Sequence, residues 1–207
     1  MSHKKLLLTI FAISFSFLML ADETLACSCM PSHPQTSYCN AEYVIVARIL
    51  RRSNRKINNH HVYKIDIVKS YKASEKAQQY LKQSRLITAP NDGLCGINFK
   101  IGQLYAIAGN SQKIGLCQYV KEYSKMTQVE KRGIAGAYKK GCGCEINLCV
   151  NNMNCQTAPR SCDWSLFNEC ETDYGICVPI KSSKIQSKQT KCQWRRSPLY
   201  QSCLLDP

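Results

Sequence analysis

Cysteine is the residue type whose number and spacing could support most chemistry in this chain of 207 residues. Its fourteen cysteines could bind a metal, act as nucleophiles or form disulfides, whereas there are only four histidines. Two Cys-x-Cys pairs, at residues 27–29 and 142–144, are shorter than the usual C-x₂₋₄-C spacing of structural zinc sites. The sequence also has no glycine-rich phosphate loop, H-E-x-x-H helix or nucleophile elbow. We therefore expect neither an enzyme nor a structural metal site, and interpret the cysteines as disulfide partners.

The histidines are the remaining candidates for acid–base or metal chemistry. His60 and His61 end a polar, turn-rich stretch and have no carboxylate placed beside them in the sequence. We interpret this pair as the solvated tip of a hairpin. His33 lies in a His-Pro-Gln stretch and is interpreted as structural rather than reactive.

The N-terminal segment indicates the compartment in which the cysteines function. Two lysines precede a run of about fifteen mostly apolar residues, Leu6–Leu20, which is typical of a secretory signal and too short to span a bilayer comfortably. The small residues that follow predict cleavage after Ala26, so that residues 1–26 form the signal peptide and Cys27 begins the mature chain. An uncleaved membrane anchor is the alternative. Export would place the cysteines in an oxidising compartment, where disulfides form.

The elements that position these residues are predicted from apolar periodicity. Hydrophobic residues make up 44% of the chain, which is enough for a core and excludes wholesale disorder. From Cys29 to Cys142, short apolar strands alternate with turn residues, as in a small β-barrel with attached helices. Strands are predicted at Glu42–Leu50, His61–Tyr71, Arg85–Ala89, Ile97–Ile101, Leu104–Gly109 and Leu116–Tyr123, and helices at Ala73–Lys82 and from a Thr127–Glu130 capping box towards Tyr138.

The C-terminal region has a different composition. Nine of the fourteen cysteines lie between Cys142 and Pro207, where apolar runs are short, so disulfides rather than a large core are expected to hold it together. We predict a boundary near Gly143, which gives domains at 27–142 and 143–207. Spacing does not determine the pairing, because fourteen cysteines allow about 135,000 connectivities.

The segment after the predicted cleavage site is the most specific motif in the sequence. It closely resembles the start of the mature tissue inhibitors of metalloproteinases, which open C-x-C-x-P-x-H-P-Q and continue through an aromatic-Cys-Asn step. The matching residues here are Cys27, Cys29, Pro31, His33-Pro34-Gln35 and Tyr38-Cys39-Asn40, and the resemblance continues through Leu94-Cys95-Gly96, residues 122–141, the Gly-Cys-x-Cys at 141–144 and Lys191-Cys192-Gln193-Trp194.

The resemblance implies a mainly β fold with helices: an N-terminal OB-type, netrin-like barrel of five strands and a small disulfide-rich C-terminal domain. It also implies 1:1 inhibition of secreted or membrane-anchored zinc metalloproteinases. In that family the first residue, here Cys27, chelates the catalytic zinc of the protease through its α-amine and carbonyl oxygen. A zinc with three protein ligands keeps open positions, and one residue that supplies both atoms closes a five-membered ring. The inhibitor would need no cofactor of its own, because the zinc belongs to the protease.

The resemblance further implies which residues contact the protease. Ser28 would lie at the mouth of the specificity pocket, where its size would tune selectivity. Cys29, Met30 and Pro31 would continue the inhibitory segment. A disulfide from Cys27 would clamp this segment beside a second one, which consists of Asn91, Asp92, Gly93, Leu94 and Cys95.

Disulfide pairing is also implied by the resemblance. Two cysteines, Cys170 and Cys203, exceed the usual twelve-cysteine pattern; we expect them to pair with each other and fix the C-terminal tail, the alternative being an intermolecular bridge. The six implied pairs are Cys27 with Cys95, Cys29 with Cys117, Cys39 with Cys142, Cys144 with Cys192, Cys149 with Cys155, and Cys162 with Cys177.

The net charge of +14 predicts attraction to polyanions. For an exported protein we expect sulfated glycosaminoglycans of the extracellular matrix rather than nucleic acid, with an ordinary solvated surface as the alternative. The basic residues concerned lie on the first predicted hairpin (Arg48, Arg51, Arg52, Arg55, Lys56) and in the C-terminal region (Lys181, Lys184, Lys188, Lys191, Arg195, Arg196).

Two other functions compete with protease inhibition. A netrin-like module could use the same barrel to bind matrix or growth-factor ligands, because a fold does not determine a function. Protease inhibition requires that Cys27 begin the mature chain, because only a free terminus supplies the zinc-binding amine. A netrin-like binding module has no such requirement. A basic host-defence or signalling factor would explain the charge and the cysteines, but not the His-Pro-Gln motif or the context of Cys95. We expect an extracellular monomer.

Overall fold

A computed structural model describes residues 27–150, 155, 158–167, 169–180 and 191–205. The predicted signal peptide, residues 1–26, lies outside the described residues, as do Lys181, Lys184 and Lys188. Within the described ranges, no helix has both the length and the apolar character needed to cross a membrane.

A five-stranded antiparallel sheet forms the N-terminal part of the structure, with the strand order β3-β2-β1-β4-β5. The chain between β4 and β5 returns to β3, where a parallel bridge joins Lys113 to Ile87, so the sheet curls into a barrel-like shape. The fold is mainly β with helices, as predicted. The strands are β1 (Tyr43–Arg52), β2 (His61–Ala73), β3 (Arg85–Thr88), β4 (Leu104–Gly109) and β5 (Tyr119–Glu122).

Both faces of β1 are buried over its first half, which explains its continuous apolar run. One face, with Tyr43, Ile45 and Ile49, packs into the barrel core. The other face, with Val44 and Val46, packs against a second core. Residues from helical segments cover this second face, so the barrel carries a helical layer on its outside.

Three short helices accompany the sheet: α1 (Pro34–Asn40), α2 (Glu75–Leu81) and α3 (Gln128–Arg132). The predicted capping box is present, because the Thr127 hydroxyl accepts a hydrogen bond from the Glu130 amide and the Glu130 carboxylate accepts one from the Thr127 amide. The helix does not continue in α form to Tyr138 as expected. A π turn (Gly133–Ala137) and a 3-10 turn (Tyr138–Gly141) follow it. The φ of Gly136 is 132°. Gly133 has no side chain, and the Tyr138 ring occupies the position where a Cβ at residue 133 would lie.

The prediction of a strand at Ile97–Ile101 is wrong, because these residues do not pair with another strand of the described chain. Its alternating pattern does bury Phe99, but its amides bond to side chains: the Ile97 amide to the Thr88 hydroxyl at 2.8 Å and the Lys100 amide to the Tyr105 hydroxyl at 3.1 Å. Alternation alone does not provide a partner strand. The last predicted strand is also shorter than expected and begins at Tyr119, because the Leu116 amide is bonded to the Cys95 carbonyl instead.

The C-terminal part consists of small two-stranded sheets and helices around a core of disulfides. Strand β6 (Glu145–Cys149) is parallel to β7 (Ser161–Ser165), and β8 (Cys177–Ile180) is antiparallel to β9 (Lys191–Trp194). Helices α4 (Glu169–Tyr174) and α5 (Pro198–Leu205) complete it.

All fourteen cysteines are paired: six pairs are those that the family resemblance implies, and the seventh is the expected Cys170–Cys203 bridge. The last bridge joins α4 to α5. The other pairs are Cys27–Cys95, Cys29–Cys117, Cys39–Cys142, Cys144–Cys192, Cys149–Cys155 and Cys162–Cys177.

Candidate functional site

Two disulfides bring the start of the described chain to a loop that lies almost seventy residues further on. Cys27 is bonded to Cys95 and Cys29 to Cys117, and the two bridges lie side by side. The Sγ atoms of Cys27 and Cys29 are 3.6 Å apart, and those of Cys95 and Cys117 are 3.8 Å apart. Four sulfurs this close resemble a metal centre, but each is already bonded to another sulfur. The cluster is therefore a covalent clamp and not a ligand set.

The loop that receives Cys27 is built by local hydrogen bonds. Asn91 is extended, and its side-chain oxygen caps a 3-10 turn (Asp92–Leu94) by accepting from the Leu94 amide at 2.9 Å. The Asp92 carboxylate accepts from the Gly93 amide at 3.0 Å. Cys95 then takes a left-handed conformation with φ 61° and donates its amide to the Asp92 carbonyl at 2.8 Å. The turn presents its side chains outward and returns the chain to the barrel.

Close main-chain approaches fix the loop to the barrel. The Gly96 amide donates to the Asn91 carbonyl at 2.7 Å. A Cβ at residue 96 would overlap the carbonyl oxygens of Ala89 and Asn91, so only glycine fits there. The Cys95 carbonyl accepts from the Leu116 amide at 2.9 Å, which ties the loop to the segment that carries Cys117.

We call residues 27–31 and 91–95 together the ridge. Apart from the half-exposed cysteines, its side chains are all exposed. Met30 is 83% and Leu94 is 55% exposed. Large apolar side chains held out in solvent on a clamped surface are typical of a binding site. The structure thus brings together every residue of the predicted contact set: Cys27, Ser28, Cys29, Met30, Pro31, Asn91, Asp92, Gly93, Leu94 and Cys95.

Two features beside the ridge were missed by the sequence reasoning. Leu116 is 50% exposed and is bonded through its main chain to the ridge, so it extends the apolar surface. A cleft of about 320 Å³ also borders the ridge and is lined by Arg52 and His61 together with Asn91 and Asp92. The sequence signal for Leu116 is only its position before Cys117.

The two adjacent histidines do not share one environment. His60 lies at the hairpin tip as predicted, after a turn in which Asn58 and Asn59 have positive φ, and its Nδ1 is 2.7 Å from the Asn58 carbonyl oxygen. His61 instead begins β2 and pairs with Thr88 of β3. It is therefore a residue of the cleft wall rather than of the tip.

His33 and Gln35 position the segment that leads out of the ridge. His33 is buried, its Nδ1 accepts from the Gln35 amide at 3.1 Å and its Nε2 lies 2.9 Å from the Glu171 carbonyl oxygen. Because Nδ1 accepts, the proton of the neutral ring is on Nε2. Burial lowers the pKa of His33 to about 4, against a smaller opposing effect of the Glu171 carbonyl. The ring also packs against Trp164 and Trp194, and so joins the N-terminal segment to the C-terminal part.

A buried ion pair makes a second connection to the C-terminal part. The Glu130 carboxylate is almost completely buried and accepts from Lys121 Nζ at 2.8 and 3.0 Å. Lys121 also lies 3.5 Å from the Asp173 carboxylate, and the Thr127 hydroxyl donates to the Asp173 carbonyl at 2.7 Å. The helical layer of the barrel is thereby fixed to α4.

Comparison with known proteins gives the family of this fold. Residues 25–194 match the family model described as tissue inhibitor of metalloproteinase. The chain is 39% identical to "Tissue inhibitor of metalloproteinase" of Drosophila melanogaster over 184 residues, which is 88% of each protein. It is 26% identical to "Metalloproteinase inhibitor 3" of Scyliorhinus torazame over 193 residues, 89% of this chain and 87% of that protein. With "Metalloproteinase inhibitor 2" of Homo sapiens it shares 29% identity over 154 residues, 67% of this chain and 68% of that protein.

The match includes the ridge, the His33 and Gln35 segment and thirteen of the fourteen cysteines that form the disulfide framework. It stops before Cys203, the partner of Cys170 in the bridge that exceeds the implied pattern. From the extent of the match and the identity to these relatives, the chain belongs to the tissue inhibitor of metalloproteinase family.

Proposed function

We propose that this chain inhibits zinc metalloproteinases by placing the ridge in the active-site cleft and the α-amine and carbonyl oxygen of Cys27 on the catalytic zinc. The observation that carries this proposal is the Cys27–Cys95 disulfide, which holds Cys27 directly beside the exposed loop 91–95. The names of its relatives, as metalloproteinase inhibitors, support the same function.

The chemistry requires an unmodified amine at Cys27. An α-amine has a pKa of about 7.7–8.0, so freeing its lone pair at pH 7 costs about 1 kcal/mol. A peptide bond to a preceding residue would turn the amine into an amide that cannot ligate zinc. Cleavage after Ala26 is therefore part of the proposed mechanism, and the zinc is contributed by the protease rather than by this chain.

The clamped ridge suits tight binding. Two adjacent disulfides and the hydrogen bonds of the 91–95 loop fix the main chain before the protease arrives, so less conformational entropy is lost in the complex. Pro31 adds a fixed backbone angle. Ser28 would face the specificity pocket, and the exposed Met30 and Leu94 would fill neighbouring subsites.

The proposed partners are secreted or membrane-anchored metalloproteinases, each bound by one monomer of this chain outside the cell. The complete pairing of fourteen cysteines supports an extracellular location. Domains at 27–142 and 143–207 remain our proposal for its organisation. The net charge of +14 supports additional retention by sulfated glycosaminoglycans of the matrix.

The test compares two proteins that differ by one residue. The chain that begins at Cys27 and a version with one extra alanine before Cys27 are each titrated against a metalloproteinase catalytic domain. We expect stoichiometric inhibition by the first and its loss in the second. Cobalt-substituted protease should change its visible spectrum only with the first protein, because only that protein adds a nitrogen ligand to the metal. If neither protein inhibits any of a panel of such proteases, the proposal fails and a netrin-like binding module takes its place.

A further inference from the structure

A second cleft, which shares no residue with the ridge, lies where the helical layer of the barrel meets the C-terminal part. It encloses about 300 Å³. Its walls include Val129 and Ile176, both buried, and the half-buried Ala137 and Tyr174. These apolar walls come from α3, from the π turn and from the segment around α4, so the cleft exists only in the assembled molecule.

Three arginines line the same cleft: Arg132, Arg195 and Arg196. All three are exposed. Among the residues that the structure describes, none of their guanidinium groups forms an ion pair, and the carboxylates of Glu130 and Asp173 are bound to Lys121. The cleft therefore combines an apolar interior with three positive charges that nothing in the described chain neutralises.

The main chain that carries two of these arginines is held in place. The Arg195 amide donates to the Ile176 carbonyl at 2.8 Å, and the Ser197 amide donates to the Arg195 carbonyl at 2.9 Å. The Ser197 hydroxyl then accepts from the Tyr200 amide at 3.2 Å at the start of α5. The Cys170–Cys203 bridge ties α5 to α4. The positive end of the α5 dipole lies at the cleft wall and adds to the charge of the arginines.

We propose that this cleft binds an acidic peptide segment of a protein partner, with one apolar or aromatic side chain in the cavity and flanking carboxylates on Arg132, Arg195 and Arg196. Guanidinium groups pair with carboxylates through two parallel hydrogen bonds. The apolar walls favour a peptide over a sulfated sugar, because a sugar has no apolar side chain to place between Val129 and Ile176. The cleft and the ridge share no residue, so the site is independent of the proposed inhibitory function.

The probes are two fluorescein-labelled peptides, acetyl-Glu-Glu-Phe-Glu-Glu and the same sequence with serine in place of phenylalanine. We expect the phenylalanine peptide to bind the secreted full-length protein more tightly in fluorescence anisotropy. The triple variant Arg132→Ser, Arg195→Ser, Arg196→Ser should bind it about tenfold or more weakly. A control variant, Lys69→Ser, Lys76→Ser, Lys82→Ser, loses the same net charge at exposed positions outside the cleft and should bind it like the parent protein.

A second variant tests the cavity without changing charge. Ala137→Leu places a larger side chain in the cleft and should weaken binding of the phenylalanine peptide about tenfold, with no effect on the serine peptide. Equal binding of the two peptides, equal losses in both triple variants, or complete displacement of the phenylalanine peptide by a heparin disaccharide would each overturn the proposal. Unchanged inhibition of a metalloproteinase by every variant serves as the folding control, so failure of this site is distinguishable from failure of the ridge.

Discussion

The side-chain amide of Gln35 exchanges two hydrogen bonds with the main chain of Cys177, a residue 142 positions later in the sequence. Its Oε1 accepts from the Cys177 amide at 2.9 Å, and its Nε2 donates to the Cys177 carbonyl at 2.8 Å and to the Gly141 carbonyl at 3.1 Å. The Gln35 side chain thus bonds to the main chain of Cys177 in β8 as a neighbouring strand would. It joins the segment behind the ridge to the C-terminal part.

Replacing this amide should destabilise the whole molecule. Gln35→Ala leaves the buried amide and carbonyl of Cys177 without their side-chain partner and removes one of the two hydrogen bonds to the Gly141 carbonyl, so we expect it to lower the free energy of unfolding by about 3 kcal/mol. Thr36→Ala, at the next and half-exposed position, should cost less than about 0.5 kcal/mol. Urea unfolding with the disulfides intact, followed by tryptophan fluorescence, measures both. Equal losses in the two variants would contradict the role assigned to Gln35.

Acid should weaken the same junction through His33. The pKa of His33 is lowered to about 4 by burial, whereas the unfolded chain has the ordinary value of about 6.5. As the pH falls, the unfolded state therefore binds a proton before the folded state does. The contribution of His33 to the free energy of unfolding is fully present above about pH 6.5 and is lost as the pH is lowered towards 4, a total loss of about 3 kcal/mol.

The variant His33→Gln removes this titration and should flatten the fall in stability between pH 7 and pH 4. Glu171, whose pKa is raised by its burial, acts in the opposite direction in both proteins, so their difference isolates His33. Chemical denaturation at several pH values provides the measurement. If the free energy of unfolding fell in parallel with pH in the two proteins, His33 would not be the source of the acid sensitivity.

The ridge loop should be far more sensitive at Gly96 than at Gly93. A Cβ at residue 96 would overlap two carbonyl oxygens, while at residue 93 the nearest atom is Asn91 Oδ1 at 3.5 Å. We expect Gly96→Ala to displace the loop and to weaken protease inhibition at least about tenfold. Gly93→Ala, the matched control, should stay within about threefold of the parent protein. The measurement is the inhibition constant of each variant against one metalloproteinase catalytic domain. Similar values for both variants would show that the loop does not contact the protease.

Retention on a polyanion should depend on the first hairpin. Arg51, Arg55 and Lys56 are exposed near its tip, and the whole chain carries a net charge of +14. The protein should elute from heparin beads above about 0.15 M salt, where the Debye length is about 8 Å. Serine at these three positions should lower the salt needed for elution more than serine at Lys69, Lys76 and Lys82. Elution of the parent protein at or below that salt concentration would rule out matrix retention by charge.

Residue patterns correctly predicted elements whose hydrogen bonds lie within one short segment, and strands whose two faces are both apolar. The apolar run of β1 and the Thr127–Glu130 capping box are examples. The interval Ile97–Ile101 has the alternation of a strand, yet its partners are the side chains of Thr88 and Tyr105, which no pattern within the interval reveals.

The contacts between distant segments were the part that residue patterns did not predict. The pairing of Cys27 with Cys95 came from family resemblance, because spacing leaves the connectivity open. The hydrogen bonds of Gln35 to Cys177 and the separate environments of His60 and His61 depend on how the two parts of the chain pack. The cleft at Arg195 and Arg196 likewise requires residues from three segments.

The order in which the ridge can be built during synthesis follows from its disulfides. Cys27 and Cys29 are among the first of these residues to emerge from a ribosome, but their partners, Cys95 and Cys117, follow 68 and 88 residues later. The N-terminal segment must therefore wait unpaired until most of the barrel has been translated. A nascent or prematurely terminated chain presents no fixed amine beside the 91–95 loop. Under the proposed mechanism, inhibitory activity then reports completed oxidative folding, and unfinished chains cannot engage a protease inside the secretory pathway.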